Sequence, residues 1–191
     1  VIYCSDQGFY IGDHGCYDKR WMYEESLMMP FIVNWPGVTK PGSRDTHLIQ
    51  NLDYAETFLD IAGAKIPADM QGSSLVPLLR GQTPKDWRTS IYYHYYEYPS
   101  VHMIPRHYGI RTERYKLMHF YQFGNEWELY DLQNDPDELR NLYGKKGTGK
   151  LAADLKKQLR TLQKHYEDDS DISEQPKEWQ DKVRPGTAEK N

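Results

Sequence analysis

Cysteine is nearly absent from this sequence. Its 191 residues contain two, Cys4 and Cys16, too few for a disulfide framework and uninformative about redox compartment. Long hydrophobic runs are also missing, and without a stretch of about 18 apolar residues no segment reads as a membrane-spanning helix. Positive charge is not in excess. The 24 Lys and Arg against 28 Asp and Glu leave a net charge of −4, and no basic run offers a footprint for nucleic acid or an anionic membrane surface. No targeting segment is visible, although a chain without its natural start could not display one. The length suits one or two small domains with a core of reasonable size. Tyrosine is abundant instead, with 16 residues, five of them between Tyr92 and Tyr98.

The densest chemistry lies at the beginning. Val1, Ile2 and Tyr3 favour a strand, which would deliver Asp6 and Gln7 at its C-terminal tip, where open α/β sheets place their ligands. A carboxylate beside an amide carbonyl suits a hard cation, calcium ahead of magnesium, and Gly8 lets the chain turn sharply behind the pair. Asp-Gln-Gly alone reads rather as an ordinary solvated turn. A glycine-hinged loop then carries Gly12-Asp-His-Gly15 and Asp18-Lys-Arg-Trp-Met-Tyr-Glu24, so that Lys19 follows Asp6 by thirteen positions. The segment Met29-Pro-Phe-Ile-Val-Asn-Trp-Pro-Gly37 closes this block. Its apolar stretch Phe31 to Trp35 reads as a strand covered on both faces and ended by Pro36-Gly37.

Ser5-Asp-Gln-Gly, Gly-Asp-His-Gly, Asp-Lys-Arg-Trp-Met-Tyr-Glu and Pro-Phe-Ile-Val-Asn-Trp-Pro-Gly, in this order and spacing, resemble the formylglycine-dependent sulfatases of the alkaline-phosphatase-like superfamily. The resemblance implies that Asp6 and Gln7 ligate an active-site calcium and that Lys19 contacts the sulfate being removed. It also implies a hydrated formylglycine attacking sulfur, then elimination of sulfate from the sulfated enzyme. The chemistry is coherent, because a sulfate ester spreads negative charge over its nonbridging oxygens and needs positive groups fixed beforehand. The Cys-x-Pro-x-Arg or Ser-x-Pro-x-Arg signature of the family is not in the chain. Cys16-Tyr-Asp-Lys-Arg20 is a decoy, with Asp18 where proline should be, and Cys16 reads as a loop cysteine. The nucleophile is therefore expected upstream, and this chain is expected to be inactive alone.

Further along, Asn51 to Ala62 reads as a helix with Leu52, Ala55, Leu59 and Ala62 on its apolar face and Gly63 past its end. Ser73 or Ser74 reads as a helix N-cap before Leu75 rather than a nucleophile. A composition change at Thr83 to Arg88 marks a boundary, beyond which Ser90 to Tyr98 begins a β-rich part. Half-buried tyrosines of a sheet explain the Tyr92–Tyr98 run, with carbohydrate stacking as the functional alternative. The following loop gathers His102, Arg106 and His107, and with His14 these are the candidate contacts to a sugar leaving group. His14 reads first as a satisfied structural histidine, and otherwise as a residue that positions its loop or lines the pocket. Residues 109–121 and 127–132 predict an antiparallel pair turned at 123–126. Asp131, Asp135 and Glu138 lack the spacing of a calcium loop and read as turn caps. Leu151, Leu155, Leu159, Leu162 and Tyr166 form one helical stripe that should pack on the sheet. The polar remainder, with Trp179 as an anchor, reads as a tail.

The fold expected is α/β: the later part of an alkaline-phosphatase-like sandwich sheet over residues 1–88, a small antiparallel sheet with a packed C-terminal helix over 89–166, and a tail over 167–191. The function the resemblance implies is hydrolysis of sulfate esters on sulfated, glycosaminoglycan-type sugars, together with the upstream half of the same enzyme. The look is nearest to the N-acetylglucosamine-6-sulfatase and iduronate-2-sulfatase branches, which implies a periplasmic, secreted or lysosomal setting. Two alternatives stand beside it. One is a phosphomonoester, phosphodiester or phosphonate hydrolase of the same superfamily, against which Gln7 is a poor zinc ligand; the other is a non-catalytic sugar-binding module.

Overall fold

The computed structural model describes residues 1–100 and 102–168. Its first part runs through β1 (Ile2–Cys4), a ribbon of β2 (Tyr10–Ile11) and β3 (Tyr17–Asp18), the single-turn α1 (Glu24–Leu27) and β4 (Phe31–Val33). β1 and β4 pair antiparallel, with Tyr3 opposite Ile32. The two-sided cover expected for the Phe31 strand is found on one side only: Phe31 stacks on Tyr54 at 5.0 Å, while Ile32 and Tyr3 are both 63% exposed.

The helix expected at 51–62 is α2 (Asp53–Ile61), but the expected face is not the one it buries. Asp53, Glu56 and Thr57 are buried, whereas Leu52, Ala55 and Ala62 are exposed. The partly buried backbone of residues 72–75 supplies the reason, since N–H groups shielded from water need acceptors. Asp53 Oδ1 accepts from the Ser73 amide at 2.8 Å, Glu56 Oε1 from Gly72 at 2.6 Å and Thr57 Oγ1 from Leu75 at 2.9 Å. Arg88 completes the arrangement with two hydrogen bonds to the Asp53 carboxylate, at 2.5 and 2.6 Å. The N-cap expected at Ser73 or Ser74 falls instead on Leu75, which makes no side-chain cap; Ser74, one residue earlier, accepts the Val76 amide on Oγ at 3.2 Å at the entry to α3 (Val76–Leu79).

A four-stranded antiparallel meander follows, β5 (Ser90–Tyr95), β6 (His107–Thr112), β7 (Tyr115–Phe120) and β8 (Glu126–Asp131), paired in that order. The sequence read residues 109–121 as one strand; the chain instead reverses at residues 113–114. Thr112 Oγ1 fastens that turn, donating to the Tyr115 carbonyl at 3.0 Å and accepting its amide at 2.8 Å. A strand turns alternate side chains to opposite faces, and this sheet is packed on both. Ile110, Leu117 and Leu129 face α4 (Gly149–His165) and meet Ala152, Leu155 and Leu159 of the expected stripe. Met118, Phe120 and Tyr130 face the first part of the chain and meet Tyr10, Met22 and Tyr23. The tyrosine run divides accordingly: Tyr92 packs with the helix side and Tyr93 with the other.

Two features bind the parts together. Gly109 admits Met22 to the sheet surface, because a Cβ there would stand 2.6 Å from Met22 Sδ and 2.4 Å from the Leu117 carbonyl oxygen. Lys116, fully buried, places Nζ 2.8 Å from both Glu24 of α1 and Glu138, and Arg111 adds a second cation at 3.0 Å from Glu24. Burial pushes both carboxylates up; in Glu24 the Lys116 and Arg111 charges outweigh it and hold the group below its usual range, while Glu138 stays raised. Beyond α4, Asp168 accepts from the Tyr92 and Tyr96 hydroxyls and lies 2.6 Å from His94 Nδ1. Trp179 and the rest of 169–191 lie outside the described residues.

Candidate active site

The tip of β1 is shaped by its own side chains. Ser5 Oγ donates to the Gln7 carbonyl at 2.8 Å, and the Gly8 amide donates to the Ser26 carbonyl at 2.8 Å. Gly8 is required there, since a Cβ would sit 1.9 Å from the Glu25 carbonyl oxygen at the start of α1. This close approach brings the Asp6–Gln7 turn beside the loop that follows β3. Lys19 Nζ donates to Asp6 Oδ2 at 2.8 Å, so two of the three residues carrying the metal and sulfate expectations are in direct contact. The lysine hydrogen bond and charge hold Asp6 below the usual carboxylate range.

Lys19 is held between two residues of left-handed backbone, Asp18 at φ 80° and Arg20 at φ 98°. Neither is glycine, and such conformations cost on the order of 1–3 kcal/mol each unless the surroundings impose them. Here the surroundings do. The Arg20 guanidinium pairs with the Asp18 carboxylate, which His102 Nδ1 also approaches at 3.1 Å. Ser26 Oγ accepts the Arg20 amide at 3.1 Å, and the Tyr93 hydroxyl donates to the Arg20 carbonyl at 2.5 Å. Of the expected sugar contacts, His102 thus reaches the Lys19 loop through Asp18. Arg106 donates to the Tyr98 carbonyl at 2.6 Å. His107, expected on a surface loop, is fully buried at the start of β6, near Trp21 and Phe120 with ring centroids 5.8 and 5.0 Å away. Its Nδ1 hydrogen bonds the Pro105 carbonyl at 2.8 Å, and burial pushes its pKa down to about 4.

His14 stacks on Tyr23 at 4.1 Å with Nε2 3.4 Å from Glu25, and it borders a cavity of about 390 Å³ between the Lys19 loop and the β7–β8 hairpin. Sequence reasoning missed this cavity, as it missed the part Tyr93 plays. Trp21 and Tyr23 stood inside the quoted motif, but nothing local links them to Phe120 or to Glu128, 105 positions beyond Tyr23. For a metal, the donors suit a hard cation in kind and fall short in number. Asp6 and Gln7 offer side-chain oxygens, Asp6 with its side chain 75% exposed, and calcium takes six to eight. Among the described residues no group of three or more His, Cys, Asp or Glu converges on one point, so a complete shell needs oxygens from outside them.

An α/β chain with a carboxylate and an amide at a strand tip, and a strained loop setting an ammonium against them, has the layout of an oxyanion-ester hydrolase. Its affiliation is more specific. Residues 12–165 match the family described as N-sulphoglucosamine sulphohydrolase, C-terminal, and the chain belongs to that sulfatase family. It is 50% identical over 170 residues to an N-acetylglucosamine-6-O-sulfatase of Bacteroides thetaiotaomicron, covering 88% of this chain and 30% of that protein. A solved structure of a protein in complex with its substrate D-glucosamine-2-N,6-O-disulfate superposes with a TM-score of 0.87 at 48% identity, covering 91% of this chain and 36% of the other. The phosphonate monoester hydrolase of Agrobacterium radiobacter gives a TM-score of 0.75 at 25% identity, covering 86% and 34%. The chain thus spans about a third of the length of these proteins.

Proposed function

We propose that this chain is the C-terminal part of a sulfatase that hydrolyses sulfate esters of glucosamine-type sugars, with residues 1–88 ending its main domain and 89–166 forming its C-terminal subdomain. The contact of Lys19 with Asp6 at 2.8 Å carries the reading, since it sets a cation and an acidic metal ligand side by side on a loop of that family. Asp6 and Gln7 would hold the calcium. The ion supplies positive charge against the sulfate oxygens, and the formylglycine of the upstream part supplies the attacking oxygen. Lys19 brings a second positive charge, a preorganised donor to a nonbridging or leaving oxygen that needs no reorganisation during the reaction. The clamp on Asp18 and Arg20 keeps that ammonium from collapsing into solvent.

The upstream partner has support in what is left uncovered. Val1, Tyr3, Ile32, Leu52 and Phe58 are exposed apolar side chains on or immediately before β1, β4 and α2. In the full-length polypeptide, Lys19→Met is expected to lower turnover of N-acetylglucosamine 6-sulfate by at least about 100-fold, the scale of losing one transition-state donor. Calorimetry should show calcium affinity falling in Asp6→Ala. Unchanged turnover in Lys19→Met would overturn the reading, and faster turnover of a phosphonate monoester than of the sulfate would favour the phosphonate hydrolase instead.

A further inference from the structure

The cavity beside His14 lies next to the Lys19 loop, yet none of its lining residues is Asp6, Gln7 or Lys19. Its volume falls within the range of small-molecule pockets, about 300–1,000 Å³. Aromatic rings make its walls: Trp21 and Tyr23 from the loop side, Phe120 and Phe123 from the sheet side. Its charge is of one sign. Glu126 and Glu128 line it, and no lysine or arginine does.

Glu128 is prepared for a ligand. Its Oε2 accepts hydrogen bonds from the Tyr23 and Tyr130 hydroxyls, both at 2.9 Å, which fix the carboxylate's direction. Among the described residues no hydrogen bond reaches Oε1. A carboxylate held on one oxygen by two phenols, with the other unengaged in an aromatic-walled cavity, is an acceptor set for a hydroxyl or ammonium donor. A sulfate or carboxylate in the same space would meet two negative groups without a countercharge.

We infer that this cavity is a sugar subsite separate from the sulfate contact, taking a ring without sulfate or carboxylate that donates hydroxyl or ammonium hydrogen bonds to Glu128 and packs its C–H face on Trp21 and Phe120. The inference deepens the sulfatase reading and rests on it for the choice of a sugar among hydroxyl- and amine-bearing ligands. It makes the two ends of the site opposite in charge, cationic at Lys19 and anionic at Glu128. A glycan would be read in one direction.

Calorimetry on the full-length polypeptide, with Lys19→Met and Asp6→Ala both present to remove the two positive contacts to sulfate, tests this with glucosamine, N-acetylglucosamine and glucosamine 6-sulfate as probes. Saturable binding of the first two is expected, weakened at least about tenfold in Glu128→Gln, as loss of a hydrogen bond to a charged group implies. Phe123→Ala gives a second variant that keeps the fold, its ring being 57% exposed, and should weaken binding as well. Tighter binding of glucosamine than of N-acetylglucosamine assigns an ammonium to Glu128, and equal binding assigns hydroxyls; either upholds the subsite. Absence of saturable binding, indifference to both variants, or preference for the 6-sulfate overturns it. Turnover in Lys19→Met without the cavity variants judges the sulfatase reading separately.

Discussion

At the scale of single residues, Tyr93 and His107 show how the sheet acts on the Lys19 loop. Removing only the hydroxyl in Tyr93→Phe deletes the hydrogen bond to the Arg20 carbonyl, worth about 1 kcal/mol. Hydrogen exchange of the residue 18–21 amides should then quicken by about fivefold while the sheet amides keep their protection. Unchanged exchange would mean that the Asp18–Arg20 pair holds the strained loop unaided. His107 makes acid stability measurable. Its pKa of about 4 in the folded chain lies below the ordinary value near 6.5, so the unfolded chain takes up the extra proton first. Its contribution is complete above about pH 6.5 and is lost as the pH falls toward 4, a change of about 3 kcal/mol. Urea midpoints across that interval should fall, and the His107 imidazole should titrate by NMR near pH 4; titration near 6.5 would contradict its burial.

At the scale of elements, the meeting of the β1 tip with α1 has no slack. Gly8→Ala pushes a methyl group into the Glu25 carbonyl and is expected to cost about 1–3 kcal/mol in urea unfolding, as overpacking does. The shift should also part Asp6 from Lys19, so the Asp6 carboxyl should titrate closer to its ordinary value. A stable variant with an unmoved Asp6 would show that the loop absorbs the change. The α4 stripe was legible because an apolar repeat at helical spacing needs no knowledge of its partner. The α2 face was not: Leu52 and Ala55 carry the same signal, but the chain buries Asp53 and Glu56 to satisfy amides twenty and sixteen residues away.

At the scale of the molecule, the Lys116 cluster joins the first segment to the sheet. Lys116→Met leaves Glu24 and Glu138 buried with Arg111 as the remaining cation, and breaking a buried pair in this way costs about 3–5 kcal/mol. Residues 10–27 should lose exchange protection ahead of β6 and β7 in that variant, whereas in the parent chain the two should open together. Simultaneous opening in both would show that the Met22 and Tyr23 packing alone couples them.

The sequence by itself determined the family, the strand that presents Asp6 and Gln7, the loop that carries Lys19, and the C-terminal helix, because each rests on local spacing or on side-chain chemistry within a few residues. Tertiary structure decided the rest. It buried His107, turned the polar side of α2 inward, set Tyr93 under the Lys19 loop and closed a cavity between Trp21 and Glu128. These outcomes depend on which distant backbone groups need partners and which surfaces meet. Contacts across 70 to 110 positions leave no periodic trace along the chain.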